Sequence, residues 1–141
     1  MEKQLVEGLN EAAKAIFENN KAKGFWDKPR NVGELLMLVV SELGEAMEAH
    51  RKGKLSRIQL FNHTMGTYIG LDENDELLDS LAEEKSILFE AYLKDTFEDE
   101  IADAIIRLLD LSAGLGIDIE NHIRLKVEYN KSRPKLHGKL Y

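Results

Sequence analysis

The chain has no cysteine, which removes disulfide staples, a thiolate nucleophile and every Cys-based zinc site from consideration. Proline is nearly absent, with two in 141 residues, and neither sits inside an apolar stretch. Long apolar runs are missing too. The longest, Leu35 to Val40, is far too short to cross a bilayer, so no membrane contact is expected. The N-terminal stretch MEKQLVEGLNEAAKAIF carries acids where a signal peptide would have an apolar block, so it reads as mature sequence. A cytoplasmic protein is the simplest expectation. No segment alternates with the period of a strand, and there is no repeat and no low-complexity tract.

What remains is 43% apolar and 32% charged, in a length that suits one soluble domain over 1–141 with a real core. The net charge is −7, unevenly distributed. From Arg124 to Tyr141 there are six Lys/Arg and one acid, so the other 123 residues carry 13 basic and 25 acidic groups. Such a body repels a nucleic-acid backbone, and no nucleic-acid polymer is expected as partner. The basic C-terminal tail, 131–141, could serve a small polyphosphate, dock on an acidic neighbour or stay solvated.

The spacing predicts helices almost throughout. The first covers Glu2 to about Asn20 and is broken by NNKAKGFWDKPRN, with its Gly24 and Pro29. Asn31, with Glu34 three residues on, starts a second helix that runs to about Lys52 and stops at Gly53. HTMGTYIGLDEND reads as a loop and Asp75 to Leu93 as an acidic amphipathic helix. Thr96 with Asp99 opens the next helix, ending near Gly114 and Gly116. Asp118 caps a last one, stopped before Pro134. The fold expectation is all-α, a bundle of four to five helices.

Carboxylates inside an apolar helix need a reason, because charge taken out of water is costly unless paired or metal-bound. With Glu34 set at 0°, Glu45 falls at about 20°, Leu38 at 40°, Ala49 at 60°, Glu42 at 80° and Leu35 at 100°. Both acids therefore interleave with apolar residues in one seam, while Glu48, at about 320°, lies nearer the outer side. In EIADAIIRLLD, residues Glu100, Asp103, Arg107 and Asp110 share one narrow polar stripe on a helix whose wide apolar arc predicts extensive burial. Alone, that stripe reads as a wet edge with an Asp103–Arg107 pair. Two i,i+3 carboxylate pairs on two helices together suit a hard cation, Mg²⁺ or Mn²⁺. A di-iron bundle would need Glu-x-x-His pairs. His50, His63, His122 and His137 are preceded at −3 by Met47, Leu60, Ile119 and Pro134, so that signature is absent.

Glu42-x-x-Glu45 followed by Glu100-x-x-Asp103 resembles the MazG-like all-α nucleoside triphosphate pyrophosphohydrolases. The segments GFWDKPRNVGELLMLVVSELGEAMEAHRKG, FEDEIADAIIRLLDLSAGLGIDIENHIRLKVEYN and NKSRPKLHGK extend the likeness, in order, over about half to two thirds of the chain. The combination of the acidic motifs with PRN, KxxxN and RPxxHGK carries it. One departure stands out: 54 residues separate Glu45 from Glu100, whereas compact family members hold the motifs much closer. Residues 54–94 thus resemble an insertion between the two metal-binding helices.

The resemblance implies Mg²⁺-dependent hydrolysis of a nucleoside or deoxynucleoside triphosphate to monophosphate and pyrophosphate, in nucleotide-pool cleaning. Glu42, Glu45, Glu100 and Asp103 would hold the metal, with Glu45 and Glu48 as candidates for the base. Lys126, Asn130, Arg133 and Lys135 would reach the phosphates, an Arg fork suiting their geometry. Trp26 would stack on the base, unless it is a core anchor, and Arg30 and Asn31 would border the pocket. Wide apolar arcs on few helices also imply a homo-oligomer, a dimer or tetramer. The alternatives are a phosphoribosyl-ATP or dUTP-type pyrophosphatase of the same superfamily, or a non-catalytic helical module binding metal or protein.

Overall fold

The computed structural model describes residues 6–69 and 78–138, and they are all-helical. Six helices follow one another: α1 (Leu9–Ala22), α2 (Val32–Arg51), α3 (Ile58–Ile69), α4 (Leu78–Tyr92), α5 (Phe97–Gly114) and α6 (Ile119–Lys131). A 3₁₀ turn over Lys135–Gly138 follows. None of the described helices is long and apolar enough to cross a membrane.

Local chemistry fixes the ends. Asn31 Oδ1 accepts the Glu34 amide at 3.1 Å, and Asp118 Oδ1 accepts the Asn121 amide at 3.1 Å, so both expected caps form. Thr96 Oγ1 accepts the Asp99 amide at 3.4 Å while Asp99 Oδ2 accepts the Asp95 amide at 2.9 Å. The two bonds fix the start of α5, the second reaching Asp95 one residue before the amide that a capping box would engage. At the far end of α2, Lys54 donates to the Ala49 carbonyl and Gly53 to that of His50. These bonds require Gly53 to sit at φ 67, a left-handed C-cap that a side chain would strain.

Two expectations change. The first helix does not run unbroken from Glu2, a residue outside those described. Gly8 at φ 89 interrupts the path and α1 starts at Leu9. The loop read over 63–75 is helical as far as Ile69, and its remainder lies outside the described residues, as does the expected helix start at Asp75. Thr64 and Thr67 turn their hydroxyls back to the carbonyls of Leu60 and His63, at 2.9 and 3.1 Å. That local bonding lets polar, β-branched residues sit in a helix they would otherwise disfavour. The described residues therefore form six helices, where four or five were expected.

The chain divides into two compact units. One holds α1, the connection to α2 and, from Ile105 onward, the end of α5 and α6. In it, Asn10 ties α1 to α6, its Nδ2 donating to Asp118 Oδ1 at 2.8 Å and its Oδ1 accepting the Glu120 amide at 3.3 Å. The other unit is Met37–Ala104, containing most of α2, the α3–α4 pair and the first two turns of α5. Its extended link after α2 is latched to the α4–α5 junction by Arg57 N to Tyr92 O (3.0 Å) and Phe97 N to Lys54 O (2.9 Å).

Candidate metal centre

The face that α2 turns inward carries Leu35, Val39, Glu42, Ala46 and Ala49, all buried. Its centre is rotated by roughly 40° from the seam expected around Leu35, Leu38, Glu42, Glu45 and Ala49. Glu42 stays inside at 7% exposure, whereas Glu45 moves to the exposed edge. The small side chains of Ala46 and Ala49 leave room for a close neighbour, and His50 meets Phe97 of α5 edge-on at 5.0 Å.

On α5 the polar stripe is a wet edge at Asp103 and Arg107, which are exposed, but not at its first residue. Glu100 is only 6% exposed, while Ile105, Ile106 and Leu108 on the broad apolar arc lie open to solvent. The expected burial of that arc is therefore wrong for the isolated chain. The cap at Thr96, itself buried, sets the helical phase that turns Glu100 inward.

These two buried acids and Asp103, which is exposed, bring carboxylate oxygens within 4.8 Å of one another. Asp95 and Asp99 form a second such group with Glu100. Burial, first, and then the charges of Glu45 and Glu42 push the Glu100 carboxyl up to about 7. A hydrogen bond between Glu100 and Glu42 contributes in the same direction, as does the charge of Asp99. A carboxyl–carboxyl hydrogen bond needs a proton on one partner, so a divalent cation and that proton compete for the same place.

The donor set fits a hard cation. It is all oxygen, without sulfur or imidazole, and its donor atoms all lie within 4.8 Å of one another. Three of the four expected ligands, Glu42, Glu100 and Asp103, form the group. Glu45 lies near enough to act on Glu100 electrostatically and accepts a long hydrogen bond from Ser41 Oγ at 3.4 Å. Of the two candidates for the base, Glu48 is engaged elsewhere, 2.9 Å from Lys52 Nζ and 3.9 Å from Arg51.

No protein-family model, curated protein or solved structure matches the chain. What the site can do therefore follows from its own donors.

The residues expected at the nucleotide lie in the first unit. Trp26 donates its indole N–H to Asp110, 3.1 Å from Oδ1 and 3.3 Å from Oδ2. Its ring stands edge-on to Phe17 at 5.2 Å and packs directly over Gly114, where any Cβ would collide with it. Arg30 donates to the Phe25 carbonyl at 2.8 Å, and the side chain of Asn31 serves as a cap. Lys126 and Arg133 both lie over the Tyr129 ring, at 5.1 and 5.8 Å. Asn130 has a buried Oδ1 with no hydrogen-bond partner among the described residues. Lys135 is exposed in the 3₁₀ turn. Sequence reasoning used Asp99 only as a cap and passed over Asp95. The acid run DTFEDE held the signal, but only the left-handed turn at Asp95, φ 57, brings its carboxylate back toward Glu100.

Proposed function

We propose that the chain is a Mg²⁺-dependent pyrophosphohydrolase of the MazG-like all-α type. On this reading it cleaves a nucleoside or deoxynucleoside triphosphate to monophosphate and pyrophosphate. One observation carries the reading: two buried glutamates on separate helices, Glu42 and Glu100, converge with Asp103 on one small volume. Buried acids so placed repel one another unless a proton or a cation lies between them.

Glu42, Glu100 and Asp103 hold the ion, with Glu45 beside them. Mg²⁺, or Mn²⁺ in its place, polarises the phosphates and lowers the pKa of water when bound. Glu45 is the better candidate to accept the attacking water's proton, because it lies beside Glu100 and Glu48 is salt-bridged to Lys52. Arg133, Lys126 and Lys135, with the orphaned amide oxygen of Asn130, are assigned to the nucleotide, as are Arg30, Asn31 and Trp26. A homo-oligomer belongs to the same proposal. Leu36, Val40, Leu43 and Met47 form an exposed apolar stripe on α2, at the spacing of a coiled-coil seam.

The test is product analysis with a panel of canonical and damaged triphosphates. Monophosphate plus pyrophosphate, lost in EDTA and in Glu42→Gln and Asp103→Asn, supports the reading. Silence across the panel from folded protein sinks it and leaves a non-catalytic helical module.

A further inference from the structure

The second unit contains a cleft of ≈ 400 Å³ lined by Lys54, Arg57, Tyr92, Lys94, Asp95 and Thr96, among others. Two backbone bonds latch residues 54–57 to 92–97 beside it, Arg57 N to Tyr92 O and Phe97 N to Lys54 O. Ser56 adds a third latch, its amide donating to Glu98 Oε2 at 2.8 Å.

Three cations face this cleft in a chain whose net charge is −7. Among the described residues none of the three has a carboxylate partner. Arg57 instead lies 5.9 Å over the Tyr92 ring. The nearby acids are committed to backbone amides, Glu98 to Ser56 and Asp99 to Asp95. At one wall the cleft meets the second acidic group, because Asp95 lines it and lies within 4.8 Å of Asp99 and Glu100, and Glu100 is the residue that group shares with Glu42 and Asp103.

Charge balance says what belongs there. Three carboxylates already exceed the charge of one divalent cation, so the ion alone leaves no positive surplus for a polyphosphate. Phosphate oxygens then need separate cations within reach, and Lys and Arg supply them as point charge and fork. We infer that the Lys54–Arg57–Lys94 cleft is a phosphate subsite contiguous with the carboxylate cluster, contributed by the segment that separates the two acidic motifs. Its ligand is a pyrophosphate group, free or as the terminal part of a nucleotide; that identity rests on the pyrophosphohydrolase reading.

Calorimetry with inorganic pyrophosphate and Mg²⁺ tests it on the wild type, Lys94→Gln, Arg57→Gln and the double variant. Arg57→Lys is the conservative control, and melting temperature and Mn²⁺ affinity verify the fold and the acidic cluster. Each cation removed should weaken pyrophosphate binding about tenfold, with Mn²⁺ affinity unchanged and partial rescue in Arg57→Lys. Equal binding by wild type and folded double variant overturns the inference, as does absence of binding by the wild type. Steady-state kinetics separates the two proposals. A hydrolase whose kcat/KM is unchanged in the double variant loses the subsite but keeps the activity. A wild type silent on every triphosphate that still binds pyrophosphate through these cations keeps the subsite and loses the activity.

Discussion

Two polar clusters sit in this chain, and they are built in opposite ways. In the first unit Asn10, Asp118, Glu120, Asn121, Arg124 and Glu128 line the larger cleft, of ≈ 630 Å³. Nearly every group there has a partner: Asn10 to Asp118, and Arg124 to Asn121 at 2.7 Å and to Glu128 at 2.6 Å. Asp118 is held below the usual carboxylate range, first by the Asn10 amide and then by the Asn121 backbone N–H. Glu100, in the smaller acidic group, is moved the other way by burial and by neighbouring acids. A satisfied network ties helices together and asks for nothing further. A buried cluster of like charges is stable only with something added, and size of cleft is the poorer guide to function.

The comparison breaks most visibly by substitution of the buried acids. Glu42→Gln should lower Mg²⁺-dependent pyrophosphate release by at least about a hundredfold and weaken Mn²⁺ binding measured by calorimetry. Asn10→Ala should leave both unchanged and lower only the melting temperature. Equal catalytic losses in the two variants would erase the distinction between the clusters.

Next in size is the dependence of stability on pH. Glu100 titrates near 7 when folded and near its ordinary 4.5 when unfolded, so between these values the folded state binds the extra proton. Metal-free protein should therefore lose stability as pH rises from about 5 to 7.5, by up to about 3 kcal/mol, and level off above. Denaturant melts in EDTA read this directly. Glu100→Gln should flatten the curve while abolishing metal-dependent activity, so that one substitution stabilises the protein at pH 8 and inactivates it. Excess Mg²⁺ should restore stability to the wild type alone. An unchanged slope in Glu100→Gln would remove the like-charge account of the cluster.

Much of this was legible before the fold. The i,i+3 acids, the caps at Asn31, Thr96 and Asp118, and the stop at Gly53 follow from local rules that operate within a few residues. Which face of α2 turns inward did not. That helix is apolar on nearly every side, so periodicity offered two burial faces, and the tertiary partner chose the one centred on Val39, Glu42 and Ala46. Glu45 lost its place inside for that reason. Lys54, Arg57 and Lys94 come together only through the latched link after α2, which no spacing rule could reach. The helical state of residues 63–69 was hidden by Gly66 and two threonines whose hydroxyls bond inward.

The smallest effect expected lies in the unit that holds the satisfied network. Trp26 packs against Gly114 with its N–H held by Asp110, so Gly114→Ala forces a methyl into an occupied place. Both the ring and the hydrogen bond must shift, at a cost of about 1–3 kcal/mol. Ala has the better helix propensity by about 1 kcal/mol, which offsets part of that. The net loss should appear as a drop of several degrees in melting temperature and a shifted Trp26 fluorescence maximum, with metal affinity untouched. If Trp26 is instead free to stack on a nucleobase, Gly114→Ala should also raise KM for the triphosphate. The ratio of stability loss to KM change then tells how far this ring is a core anchor and how far a recognition surface.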